Sequence, residues 1–129
     1  MKMTYHIVQV TTENEIKAIS RPGIELDLDE LHTLCGGYIE VVHPMLLANV
    51  NPHILMLVDE DGKFKDKPVN LLGTALYGNP HDVIVGDIVL CTDFNLDPLA
   101  DPDIYAFNEF DFNQIMSWIP RLLEHLKTL

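Results

Sequence analysis

The run Asp59-Glu60-Asp61-Gly62 is the densest group of potential cation ligands in the chain, and six histidines are scattered around it. A calcium loop puts oxygen ligands at its positions 1, 3 and 5, a glycine at 6 and a bidentate Glu at 12. With Gly62 as that glycine, position 1 is Leu57 and position 12 is Pro68, so the run reads instead as an exposed hairpin turn, Asp59 to Lys63, with Gly62 at positive φ. His6, His32, His43, His53, His81 and His125 contain no H-x₃-H spacing, and Cys35 and Cys91 no C-x₂-C spacing, so zinc has no chelating pair. Nucleophilic chemistry fares no better. Neither Ser20 nor Ser117 stands in a G-x-S-x-G elbow. Cys35 closes a predicted helix, where the dipole disfavours a thiolate. Gly36-Gly37 leads into a strand, whereas a phosphate loop leads into a helix. The residues point to no metal, no cofactor and no catalytic set, and a non-enzymatic protein is expected.

Charge is more informative. Eight Lys and Arg against 20 Asp and Glu give a net charge of -12 and a pI near 4.6. That argues against direct nucleic-acid or anionic-membrane binding, both of which need cations to neutralise phosphates. Between Lys67 and Arg121 lie eight acids and no Lys or Arg, with Phe94, Tyr105, Phe107, Phe110 and Phe112 interleaved in the second half. Asp93, Asp97, Asp101, Asp103, Glu109 and Asp111 are therefore candidates for an acidic interaction surface. The alternative is a solvated loop whose aromatics tuck into the core.

These residues must be held by a chain of 129, a length that favours one domain with a core of its own. Hydrophobic residues make up 47% and charged ones 22%, an ordinary globular composition. The amino end has no apolar signal core, and no stretch approaches the roughly 20 apolar residues of a membrane span. A cytoplasmic protein with two buried thiols is expected.

Tyr5 to Thr11 alternates with β-branched residues on both faces, a buried strand; Glu15 to Ser20 is a shorter one, ended by Arg21-Pro22-Gly23. Asp27 or Asp29 opens a helix to Cys35, stopped by Gly36-Gly37, and Tyr38 to His43 follows as a strand. Ile54 to Val58 is an apolar strand leading into the hairpin. Asn70 to Gly78 is a short helix, and Asp82 to Thr92 a strand bent at Gly86-Asp87. Asp111 with Gln114 starts the last helix, in which Ile115, Ile119, Leu122, Leu126 and Leu129 form a stripe and Pro120 predicts a kink. The expected architecture is α+β: a mixed, mostly antiparallel sheet of five or six strands with about three helices. The apolar arc of the last helix is wider than one docking stripe needs. Trp118, Leu122, Leu123 and Leu126 are thus candidate contacts in a homodimer or higher oligomer.

Three segments in order, Leu31-His32-Thr33-Leu34-Cys35-Gly36-Gly37-Tyr38-Ile39-Glu40, Asp59-Glu60-Asp61-Gly62-Lys63 with Asn70, and Val85-Gly86-Asp87-Ile88-Val89, resemble the family named domain of unknown function thirty-eight forty-six. The resemblance covers about residues 5–92 and leaves 93–129 as an acidic segment plus helix. It implies no activity, but it does imply a setting: an accessory protein of a phage or mobile element in a bacterial cytoplasm. Gly36, Gly37, Tyr38, Glu40, Asn70 and Asp87 stand at its signature positions and are candidate ligand residues. Asn70 also reads as a helix cap, and Glu40 as a charge on the exposed face of an apolar strand.

The leading functional expectation is counter-defence, with the acidic surface blocking a host nucleic-acid-handling protein. A second is a small-molecule binder that sequesters a nucleotide signal, with Arg21, Lys63, Lys65 and Lys67 available to cluster on phosphate. A third is a structural or assembly module.

Overall fold

The computed structural model describes residues 3–97, 99 and 103–129. Five strands, β1 (Tyr5–Val10), β2 (Ile16–Arg21), β3 (Ile39–Val42), β4 (Ile54–Asp59) and β5 (Ile88–Thr92), form one sheet in the order β2-β1-β5-β4-β3. Every pairing is antiparallel, so the α+β class stands and the mostly antiparallel sheet of five or six strands is one of five, antiparallel throughout. Three helices accompany it: α1 (Leu28–Cys35), α2 (Leu71–Tyr77) and α3 (Glu109–Lys127).

Successive side chains of a strand point to opposite faces, and here both faces are covered. Val8, Val10, Met56, Ile88 and Leu90 meet Leu72 and Leu76 of α2 and Ile115, Ile119 and Leu123 of α3. Ile7, Leu55, Leu57, Val89 and Cys91 lie on the other side under Leu31 and Cys35 of α1. Two-sided burial explains why the central strands are apolar runs instead of alternating ones. Cys35 and Cys91 are buried free thiols, and burial pushes the Cys35 thiol up to about 12 and raises that of Cys91 as well. Neither is a ready nucleophile.

The helix ends follow local chemistry. Asp27 caps α1 by accepting from the Asp29 N–H at 2.9 Å, and Gly36, at φ 79°, ends it. Asn70 caps α2 and Gly78, at φ 73°, closes it. The cap of α3 is Asn108, whose Oδ1 accepts from the Asp111 N–H at 2.7 Å, so the expected start at Asp111 moves upstream. A cap bonds the third helical N–H, and Asp111 occupies that third position instead of the cap itself. The helix continues through Pro120.

The expected hairpin at Asp59 to Lys63 does not form. Gly62–Lys65 is a 3₁₀ turn, Gly62 is buried and keeps a negative φ, and the left-handed residue is Asp66 at φ 53°. Strand β4 finds its antiparallel partners in β3 and β5, which leaves Lys63-Phe64-Lys65 no strand to join. The expected bend before β5 is present, with Gly86 at φ 78°. In α3, Leu123 is buried in the core and Leu122 and Leu126 are packed against it, whereas Trp118 is half exposed and Leu129 exposed. Leu123 is therefore spent within the chain and is not available as an oligomer contact. Among the described residues no helix is long and apolar enough to cross a membrane.

Candidate functional site

The three segments that carry the resemblance converge at one end of the sheet, around a carboxylate that sequence reasoning assigned to a turn. Asp59 is the last residue of β4, and its side chain has no exposed surface. It accepts from Lys65 Nζ at 2.9 Å and from the Asp61 N–H at 2.9 Å, and it is ion-paired with Lys67. The two ammonium groups reach further: Lys67 Nζ donates to Cys35 O at 3.0 Å, and Lys65 Nζ to Gly36 O at 3.2 Å. Held by one carboxylate, the two lysines thereby satisfy carbonyls left free at the end of α1. Burial by itself would raise the Asp59 carboxyl, but hydrogen bonds from Lys67, Lys65 and the Asp61 N–H outweigh it and hold the pKa at about 2.

This lock explains the glycines. A Cβ on Gly36 would lie 2.6 Å from Lys67 Nζ, and one on Gly37 would lie 2.6 Å from Asp59 Oδ1 and 2.7 Å from Lys65 Nζ. A Cβ on Gly86 would lie 2.8 Å from Lys67 Cδ. Two segments distant in sequence, Gly36-Gly37 and Gly86, are bare where the lysines cross them.

Asn70 and Asp87 are structural as well. Asn70 is fully buried and saturated: its Nδ2 donates to Val10 O at 3.0 Å and Gly86 O at 2.9 Å, and its Oδ1 accepts from the Gly73 N–H at 2.8 Å. Asp87 accepts from the Thr12 N–H at 3.0 Å. Of the six candidate ligand residues, Tyr38 and Glu40 leave their side chains on the surface, with Tyr38 edge-on to His32 at 5.2 Å between ring centroids.

Glu40 borders a cleft of about 290 Å³ floored by Val58, Ile84 and Val85. Its walls carry the carboxylates of Glu40, Glu60 and Asp82 and the rings of Phe64 and Tyr77. Phe64 is 89% exposed, an unusual position for a phenyl ring. The one cation in the lining, Lys63, is bound to Asp82, and that pairing draws the Asp82 carboxyl below its usual range. Carboxylates beside open aromatic faces suit an ammonium or guanidinium group. Phe64 and Tyr77 were missed in the sequence because both sit in short elements without a distinguishing pattern.

The acidic segment is less uniform than its composition implies. Asp93 contacts His53 Nδ1 at 2.8 Å, and Glu109 contacts His6 Nε2 at 2.9 Å. His6 is in turn stacked on Phe112 at 3.9 Å and lies 3.3 Å from Ser20 Oγ. Asp97 and Asp103 are exposed, Asp111 is buried, and Asp101 lies outside the described residues. Most of the interleaved aromatics turn inward: Phe107 and Tyr105 are buried, Phe112 packs against the core, and Phe110 is exposed.

Cations are scarcer at the surface than the sequence implied. Lys17 pairs with Glu15, Arg21 with Glu30, Lys63 with Asp82, Lys65 and Lys67 with Asp59, and Lys127 with Glu124. Among the described residues only Arg121 stands outside an ion pair. The four cations expected to cluster on phosphate, Arg21, Lys63, Lys65 and Lys67, are distributed over three separate carboxylates instead.

No curated protein and no solved structure matches the chain. One family model does, over residues 3–104, a span that contains the whole lock, the cleft and β1 to β5 and leaves α3 beyond it. The chain belongs to the family described as Domain of unknown function (DUF3846).

Proposed function

We propose that the protein is a non-enzymatic binding module, acting in the bacterial cytoplasm for a phage or mobile element, that engages a basic, nucleic-acid-handling host protein. The observation that carries this reading is the internal consumption of its cations. With nearly every described Lys and Arg neutralised within the chain, the exposed Glu25, Asp29, Glu40, Glu60, Asp61, Asp97 and Asp103 face solvent without a Lys or Arg partner among the described residues. Such a field steers a cationic partner and repels nucleic acid itself. The cleft at Glu40 supplies a place for one lysine or arginine of the partner, with Phe64 and Tyr77 as its aromatic sides.

The cleft also favours a second reading, capture of a small ligand. Three carboxylates and a committed lysine select a cationic molecule there over a phosphorylated one.

The test is affinity capture from host lysate at low salt, with wild type and with Glu40→Lys/Glu60→Lys side by side. The expected result is recovery of a basic nucleic-acid-handling protein by wild type, lost in the variant and at high salt. Recovery of no such protein at low salt would overturn the reading, and stabilisation by a small cationic ligand in a thermal-shift screen would favour the second.

A further inference from the structure

We propose that the open edge of β3 pairs with the β3 edge of a second copy, making a twofold dimer with one continuous ten-stranded sheet. Strand β3 ends the sheet, so among the described residues one side of its backbone has no strand beside it. Tyr38 O accepts from the Glu60 N–H at 2.8 Å, which makes Tyr38 and Glu60 a hydrogen-bonded pair. Antiparallel pairs alternate, so in the register Ile39↔Asp59 and Val41↔Leu57 the N–H and C=O groups of Ile39 and Val41 face the open side. An exposed row of this kind is a template for another strand.

Charge selects the occupant. From Leu31 to Val58 the sole Asp, Glu, Lys or Arg is Glu40, in a chain of net charge -12. Along this edge and just past it, Tyr38 is 70% exposed, Val41 45%, Met45 63% and Leu46 47%. Two copies of so acidic a chain repel wherever their contacting strands carry several carboxylates, and β3 itself carries one, with Glu60 set back beside Tyr38 just past the end of β4. An antiparallel edge is also complementary to itself about a twofold axis, as an isologous contact requires. The opposite edge, β2, carries Lys17 and Arg21, charges that blunt strand pairing. Centring the axis on Val41 puts Glu40 of each copy diagonally across the junction, roughly 7 Å apart, a residual repulsion within the interface.

The experiment is sedimentation equilibrium of the full chain up to high micromolar concentration, at low and high salt. Wild type is expected to dimerise more tightly as salt rises, and Glu40→Gln to tighten the dimer further. Capture of a basic partner weakens under both changes, so the two proposals fail separately. Val41→Pro, which removes an N–H that no strand within the chain uses, and Val41→Lys are each expected to weaken association by about tenfold or more. Circular dichroism checks their fold, and Val41→Lys decides if the proline variant unfolds. Trp118→Ser is expected to leave the dimer intact. A strictly monomeric wild type overturns the proposal. So does a dimer that Trp118→Ser abolishes and Val41→Lys spares, since the contact would then belong to α3.

Discussion

Two groups of residues meet between Gly37 and Tyr38 and behave oppositely. Gly36, Gly37 and Asp59, with Lys65 and Lys67, form a closed electrostatic lock whose carboxylate has no exposed surface. Tyr38 and Glu40 directly follow the two glycines in sequence and face solvent. The difference teaches that residues adjacent in one motif divide into those that make the fold and those that the fold merely presents. A buried charge with its partners supplied is a structural feature. An exposed charge beside an open aromatic is available to something else.

The sharpest way to break that contrast is to remove the lock. Asp59→Ala leaves Lys67 beside bare carbonyls without a counter-charge, and breaking a buried pair in this way costs on the order of 3 kcal/mol. For a chain of this size that is a fall in Tm on the order of 10 °C, read in a thermal melt.

Acid probes the same lock without mutation. The Asp59 carboxyl is held near 2 in the folded chain, below its ordinary 3.8, so its stabilisation is fully present above the ordinary value. It is lost as pH falls from there through the folded value. Denaturant titrations between those limits should show wild type losing stability more steeply than Asp59→Ala.

A smaller effect is expected at Gly36→Ala, about 1–2 kcal/mol. Its φ of 79° disfavours any side chain, and the added methyl must push aside Lys67 Nζ, the flexible end of a lysine. Chemical denaturation measures the loss. At the bottom of the scale, Tyr38→Ser and Glu40→Gln should each stay within about 0.5 kcal/mol of wild type, because neither side chain is buried. A loss of several kcal/mol at Glu40 would erase the contrast.

How much of this was legible in the sequence depends on range. The strands and the stops at Gly36 and Gly78 follow from periodicity and from the conformational freedom of glycine, both local properties. Asn70 was readable as a cap, yet its bonds to Val10 O and Gly86 O span 60 and 16 residues and have no local trace. The hairpin reading of Asp59 to Lys63 failed for the same reason. A DEDG run has the composition of a turn, and nothing nearby reveals that β4 pairs with β5, whose sequence comes nearly 30 residues later. The spacing of Lys63, Lys65 and Lys67 was visible, but the carboxylates that claim them are set by tertiary contacts. The start of α3 was misplaced by one turn because Asn108 and Asp111 are both good cap residues, and in the folded chain it is Asn108 that accepts from the Asp111 N–H.

The most direct measurement is the Asp59 side-chain pKa itself, followed by carbon-detected NMR across an acid titration. The lock predicts a midpoint near 2 that moves up toward the ordinary 3.8 when Lys67 is replaced by Met. A wild-type midpoint at or above 3.8, unmoved by Lys67→Met, would contradict it.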